Sequence, residues 1–204
     1  WAPTWNAAPQ SFQPVVRLGS ESGRREAALL RWGLVPSWAK DARIGLNTIN
    51  ARAEEVESKP AFRSALKKRR CLVPADAFYE WQLTGAKTRR PFAIVLQSGE
   101  PYAFAGLWES WQPPHGAPLE SFTIITTAPN SLIEPIHNRM PVIVAPNEYE
   151  RWLDPTAPPP LDLLRPYPAG EMLSWPVSER VGNVRYNAPE LLDELHDAQP
   201  SLFN

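Results

Sequence analysis

Cys71-Leu72-Val73-Pro74-Ala75-Asp76-Ala77-Phe78-Tyr79-Glu80-Trp81-Gln82 opens a tract in which short, β-prone runs follow one another to the middle of the chain's last third. β-Branched and aromatic residues suit a pleated, half-buried surface. The pattern predicts strands at Cys71-Leu72-Val73, Ala77 to Gln82, Phe92 to Leu96, Tyr102 to Trp111, Phe122 to Thr127 and Val142 to Ala145. Ser98-Gly99-Glu100-Pro101 supplies a turn between two of them. The fold class that follows is α+β: a mostly antiparallel β core, a barrel-like pair of sheets, with short helices around it.

Upstream, Trp1 to Pro14 reads as extended loop. Val15-Val16-Arg17-Leu18, a Gly/Ser-rich turn through Gly23, and Glu26 to Trp32 form a predicted hairpin. Trp32 to Arg43 suits an ordered loop. Ser58 with Pro60 marks a helix start, and Phe62 and Leu66 beside Ala61 and Ala65 give it an apolar face. Lys67-Lys68-Arg69-Arg70 ends that helix with cations where the macrodipole favours them. That run reads as a helix end and a solvated surface rather than a nucleic-acid site. Downstream, Asn147 caps a helix from Glu148 to Leu153, Pro155 to Pro160 is a loop, and Leu161 to Leu164 a helical turn. Met172 to Val177 is a further strand. Pro189 to Asp197 is a final helix with Leu191, Leu192 and Leu195 facing inward. No internal repeat or linker divides the sequence, so residues 1–204 read as one domain.

Composition narrows the function classes. A net charge of −1 advertises no polyanion partner globally, so a nucleic-acid site has to be a local basic patch. Nine tryptophans are many for this length; most suit core packing, and one or two suit a surface on which bases stack. A single cysteine, Cys71, excludes an intrachain disulfide framework and is compatible with a reducing compartment. His115, His137 and His196 lie far apart, so no zinc-type spacing exists, and nothing calls for a metal or cofactor. No apolar run approaches a membrane span. The sequence opens at Trp1 rather than Met, which leaves the native amino terminus, and any targeting segment before it, open.

Three segments carry more polar specification than packing needs. In Asn47-Thr48-Ile49-Asn50-Ala51-Arg52-Ala53-Glu54, an amide and a guanidinium stand two residues apart and share a face if the chain is extended. An amide can hold a hydroxyl or carbonyl oxygen, and Arg grips phosphate with two parallel bonds; the bland alternative is a polar loop leading into a helix. In Ala77 to Gln82, Glu80 sits among aromatic residues, where partial desolvation raises a carboxyl pKa toward the range of a proton shuttle. An outward-facing strand Glu fits the same alternation equally well. In Pro135-Ile136-His137-Asn138-Arg139-Met140-Pro141, His137 could do acid–base work beside a phosphate held by Arg139, or serve the loop structurally.

Taken together in order, these pieces resemble a known family. Trp5-Asn6-Ala7-Ala8-Pro9, Arg31-Trp32-Gly33-Leu34-Val35-Pro36-Ser37-Trp38, Ile49-Asn50-Ala51-Arg52-Ala53-Glu54 and Arg70-Cys71-Leu72-Val73-Pro74-Ala75-Asp76 begin the series. Phe78-Tyr79-Glu80-Trp81, Ala105-Gly106-Leu107-Trp108-Glu109, Thr126-Thr127-Ala128-Pro129-Asn130, Ile136-His137-Asn138-Arg139-Met140-Pro141 and Trp175-Pro176-Val177-Ser178 continue it. In this register, from about Trp5 to Leu191, the chain resembles the SOS-response-associated peptidase family.

The resemblance implies a DNA-damage-response protein that captures abasic sites in single-stranded DNA covalently. A cysteine directly after the initiator Met becomes the amino terminus; its α-amine forms a Schiff base with the sugar aldehyde, and its thiol closes a thiazolidine. The peptidase label refers to self-removal of the residue preceding that cysteine, and reversal of the link is lyase-like. By motif, Asn50 positions the cysteine backbone and the sugar, Glu80 shuttles protons, and His137 is the acid–base group at the sugar oxygen. Arg52 and Arg139 clamp phosphates, Pro9, Trp38 and Trp81 wedge and stack neighbouring bases, and Thr126 joins the same pocket. The resemblance places the nucleophile a few dozen residues before Trp5, outside this sequence; Cys71, inside a strand, has no free α-amine. It further implies a monomer acting in the cytoplasm, at the nucleoid in a bacterium, without cofactor or membrane. Two other readings stand beside it. One is a noncovalent single-stranded DNA-binding module using the same arginines and tryptophans. The other is a hydrolase built on Cys71 with His137, or a protease using Glu80.

Overall fold

The computed structural model describes residues 2–19 and 22–195. Eleven strands and two short α-helices make up its regular elements, in two sheets. The predicted hairpin forms from β1 (Phe12–Leu18) and β2 (Arg25–Trp32), paired along their whole length from Phe12↔Arg31 to Leu18↔Arg25. β3 (Asn50–Arg52), β4 (Arg70–Ala75), β7 (Tyr102–Trp111), β8 (Leu119–Thr127), β9 (Met140–Pro141) and β10 (Ile143–Val144) complete the larger sheet. Its order is β10-β7-β4-β1-β2-β8-β3, and β8 also pairs with β7, so the sheet turns back on itself. β5 (Phe78–Leu83), β6 (Arg89–Leu96) and β11 (Met172–Pro176) form the smaller sheet in the order β11-β6-β5. Most pairings are antiparallel as predicted; β2 and β3 run parallel to β8.

The larger sheet is apolar on both faces, which is why β4, β7 and β8 read as nearly continuous hydrophobic runs. Alternation divides their side chains between two cores. Leu72, Leu107 and Ile125 pack outward under α1 (Arg63–Lys68) and α2 (Tyr149–Leu153), with the fully buried Trp152. Cys71, Val73, Phe104 and Ile124 pack inward with Val15, Phe78 and Phe122. A third cluster, around Ala93, Val177, Val181 and Leu191, lies on the smaller sheet. Gly33 adopts φ +128°, and a Cβ there would stand 2.5 Å from the Gly45 carbonyl oxygen, so the close crossing of these two loops requires glycine.

Arg70 is buried, and its guanidinium donates only to backbone. Nη1 bonds the Leu66 and Lys67 carbonyls (2.7 and 3.1 Å), Nε bonds Trp152 O (2.5 Å), and Nη2 bonds Asp154 O. One side chain thus closes the C-terminal ends of both α-helices. The basic run 67–70 is therefore divided. Lys67 and Lys68 are solvated at the helix end as predicted, whereas Arg69 pairs with buried Glu109 at 2.6 Å and Arg70 is interior.

Other expectations need correction. The first helix starts at Arg63, after turns from residue 53 onward; the Ser58 hydroxyl bonds Glu55 O instead of capping. Asn147 lies within a 3-10 turn, Pro146–Glu148, and caps nothing. The final helix is one 3-10 turn, Pro189–Leu192. Leu191 is buried as predicted, but Leu195 is 45 % exposed, and residues 196–204, with the predicted helix end at Asp197, lie outside the described residues. Among the described residues no helix is long and apolar enough to cross a membrane.

Candidate active site

Between the inner face of the larger sheet and β5 lies a cavity of about 960 Å3. Asn50, Glu80, Trp81, Thr126 and Pro9 all line it. Four separate parts of the fold supply them, Thr126 coming from the end of β8. Asn50 heads β3, set by its parallel pairing with β8 (Asn50↔Ile124, Arg52↔Thr126). The polar segment 47–54 is thus strand at its centre, and Asn50 and Arg52 share the exposed face while Ala51 is buried. Glu80 and Trp81 come from β5, opposite Phe92 and Pro91 of β6. Pro9 comes from the loop before β1, which the Tyr79 hydroxyl holds by donating to Trp5 O at 2.9 Å.

Glu80 is the electrostatic centre of the site. Its side chain is 21 % exposed, and burial among aromatic residues raises its carboxyl above the ordinary range. His137 and the backbone N–H of Trp81 pull in the other direction without cancelling the shift. His137 does not itself line the cavity but meets Glu80, with Nδ1 3.5 Å from Oε1. The ring's Nδ1 also lies 3.0 Å from the Arg139 carbonyl and 3.3 Å from the Arg139 N–H. With the proton on Nδ1 donated to that carbonyl, Nε2 is left as the basic nitrogen.

A residue without a role in the sequence reading fixes this pair. Gln82 Nε2 donates to Pro135 O at 3.0 Å, tying β5 to the His137 loop. The signal was its spacing: Gln82 is two residues from Glu80 on one strand, hence on one face.

The two arginines converge on Thr126 but differ in access. Arg52 is paired in register with Thr126, is 66 % exposed, and has Glu55 only at 3.9 Å. Arg139 is 23 % exposed and engaged at both terminal nitrogens: Nη1 and Nη2 grip the Glu54 carboxylate at 2.7 and 3.0 Å, and Nη2 donates to Thr126 O at 2.5 Å. Glu54 is the second residue without an assigned role. Trp38 is 58 % exposed and stands outside the cavity lining, as do Arg52 and Arg139. Most described tryptophans are buried or half-buried; Trp38 is the exposed one among them.

Cys71 belongs to the core. It is fully buried in β4 against Gly106, and burial pushes its thiol well above the ordinary range. A thiol so placed is inert. Iodoacetamide at neutral pH is expected to leave Cys71 unmodified in the native protein and to alkylate it in denaturant; rapid native labelling would restore a Cys71 nucleophile. Among the described residues no cluster of His, Cys, Asp and Glu suits a metal ion.

Comparison with known proteins finds similarity along most of the chain. The family model described as SOS response associated peptidase matches residues 1–184. Abasic site processing protein YoqW of Bacillus subtilis is 45 % identical over 194 residues, covering 94 % of this chain and 86 % of that protein. Abasic site processing protein HMCES of Gallus gallus is 33 % identical, over 94 % of this chain and 66 % of that longer protein. A crystal structure of a protein from Bacteroides thetaiotaomicron superposes with a TM-score of 0.83 at 30 % identity, covering 92 % of this chain and 82 % of that one.

Proposed function

The chain belongs to the SOS-response-associated peptidase family, and from that premise we propose that it processes abasic sites by capturing them covalently in single-stranded DNA. The observation that carries the proposal is the desolvated Glu80 carboxyl, in contact with His137 and facing the same cavity as Asn50.

The chemistry follows from those positions. His137, acting in its imidazolium form, gives its Nε2 proton to the sugar ring oxygen while the C1′ hydroxyl loses its own proton to water, so the C1′–ring oxygen bond breaks and the aldehyde is released. The α-amine of an amino-terminal cysteine, in a residue outside the 204-residue sequence, attacks the aldehyde carbon to give a carbinolamine. Glu80, whose acid form burial favours, donates to the carbinolamine hydroxyl, which leaves as water, and the nitrogen gives up its proton to yield the Schiff base. The cysteine thiol then adds to the imine carbon, its proton passing to nitrogen, and closes the thiazolidine without any redox step. Glu80 also serves the hydrolysis that exposes the cysteine amine, and reversal runs the same steps backward. The Asn50 amide orients the cysteine backbone and the sugar. Arg52, the accessible guanidinium, and Arg139 take phosphates flanking the lesion; Trp81 and Pro9 at the cavity, with Trp38 outside it, offer surfaces to the adjacent bases. The protein acts as a monomer in the cytoplasm, at the nucleoid in a bacterium.

A denaturing gel tests the proposal. The full-length protein with a Met-Cys start is incubated with a single-stranded oligonucleotide carrying one abasic site. A shifted band that survives boiling is expected, absent when that cysteine is replaced by Ala. Asn50→Ala is expected to form it about tenfold more slowly, the value of roughly one hydrogen bond at the reacting centre. No band from the full-length protein would leave a noncovalent DNA-binding module.

A further inference from the structure

We propose that Glu54 occupies the phosphate seat of Arg139, so that DNA enters that seat only by displacing a carboxylate. The inference rests on the reading of the site as one for single-stranded DNA.

Arg139 has a single edge to offer. Its Nε is buried and has no hydrogen-bond partner, and Nη2 is fixed from within by Thr126 O. What remains toward solvent is the Nη1–Nη2 pair, and the Glu54 carboxylate fills it with one bond to each nitrogen, of 2.7 and 3.0 Å. Phosphate presents a comparable pair of oxygens to a guanidinium, so the two anions compete for one geometry. The pair is asymmetric: Glu54 is 56 % exposed and Arg139 23 %. The arginine is anchored and the glutamate is free to swing away. Arg139 also holds the Glu54 carboxyl below the usual carboxylate range, so the occupant is charged at neutral pH.

The neighbouring Arg52 has no such occupant, being 66 % exposed and 3.9 Å from Glu55. The two guanidinium groups therefore differ in what they admit. A free anion at Arg139 has to outcompete an internal carboxylate at high local concentration. A strand already held at Arg52 presents its next phosphate at comparable effective concentration, and displaces Glu54. Glu54 thus makes the site selective for a polymer of phosphates over inorganic phosphate.

The test is the affinity of the full-length protein for a single-stranded oligonucleotide carrying a non-reactive tetrahydrofuran abasic analogue, with inorganic phosphate as competitor. Glu54→Gln is expected to tighten oligonucleotide binding about fivefold, the scale of one partly exposed ion pair, and more at low salt. It is also expected to make binding more sensitive to inorganic phosphate. Both changes vanish in an Arg139→Ala background if they act through the seat. Equal affinity in wild type and Glu54→Gln, or a gain that persists without Arg139, overturns the inference and leaves the DNA reading intact. Absence of oligonucleotide binding by every variant overturns both. Should Glu54→Gln melt early, Glu54→Asp, which draws the carboxylate back by one methylene, is read by the same criteria with a smaller gain.

Discussion

Glu80→Gln is expected to slow formation of the abasic-site crosslink by about 10²–10⁴-fold, the usual contribution of a positioned proton-transfer group. The substitution keeps the shape of the side chain on β5 and replaces a titratable carboxyl with an amide that cannot give up and regain a proton, so DNA affinity is expected to stay near the wild-type value. The pH profile separates this role from a structural one. Burial raises the carboxyl, so in wild type the acid form that the proposed mechanism requires persists above the ordinary carboxylate range and is lost as pH rises through the raised value. The alkaline limb of the wild-type rate is expected to disappear in Glu80→Gln. Stability carries the same signature. Between the unfolded and the raised folded pKa the native state binds the extra proton, so stability falls as pH rises through that window. Glu80→Gln is expected to flatten that slope and to gain in relative melting temperature above it. An unchanged crosslinking rate in the variant would remove Glu80 from the chemistry.

Arg70→Met is expected to destabilise the fold by about 3 kcal/mol, which for a domain of this size lowers the melting temperature by about 6–12 °C. Methionine fills much of the same volume but leaves the carbonyls of Leu66, Lys67, Trp152 and Asp154 without their donor. Removing the guanidinium also relieves its own desolvation, and its partners are neutral, so no unpaired buried charge remains. That relief keeps the loss below the sum of four hydrogen bonds. A calorimetric melt checks the magnitude; a shift under about 2 °C would mean that water replaces the side chain at both helix ends. Arg70→Lys is expected to recover little, since one ammonium cannot reach carbonyls on two helices.

Why some of this was readable in sequence and some was not comes down to range. Strand runs such as Tyr102–Trp111 carry their own signal in side-chain type and flanking turns, and the β1–β2 hairpin is closed by local chemistry. Ser58 and Asn147 failed as caps because hydrogen bonds within the neighbouring turns set those helix starts. The depth of Arg70 depends on α2, more than eighty positions away, and no local pattern distinguishes it from Lys67. Glu80 and His137 were visible as chemistry, but their contact at 3.5 Å joins β5 to a loop more than fifty positions on, which Gln82 also ties down through Pro135 O. The Glu54–Arg139 pair likewise joins residues that only the β3–β8–β9 pairing brings together.

The early and late parts of the chain are laced together. The Asn6 amide donates to Val181 O and Tyr186 O at 3.1 and 3.0 Å, and the Asn187 side chain accepts the N–H groups of Trp5 and Asn6 at 2.7 and 3.1 Å. Trp5 and Pro9, which wall the cavity, are among the first of these residues to leave the ribosome, and Asn187 is among the last. The loop that carries Trp5 and Pro9 therefore gains its partners in two stages, from Tyr79 early and from Asn187 late. The last clasp, at Asn187, closes only after all eleven described strands have been synthesised, so the final wall of the cavity is set after its frame.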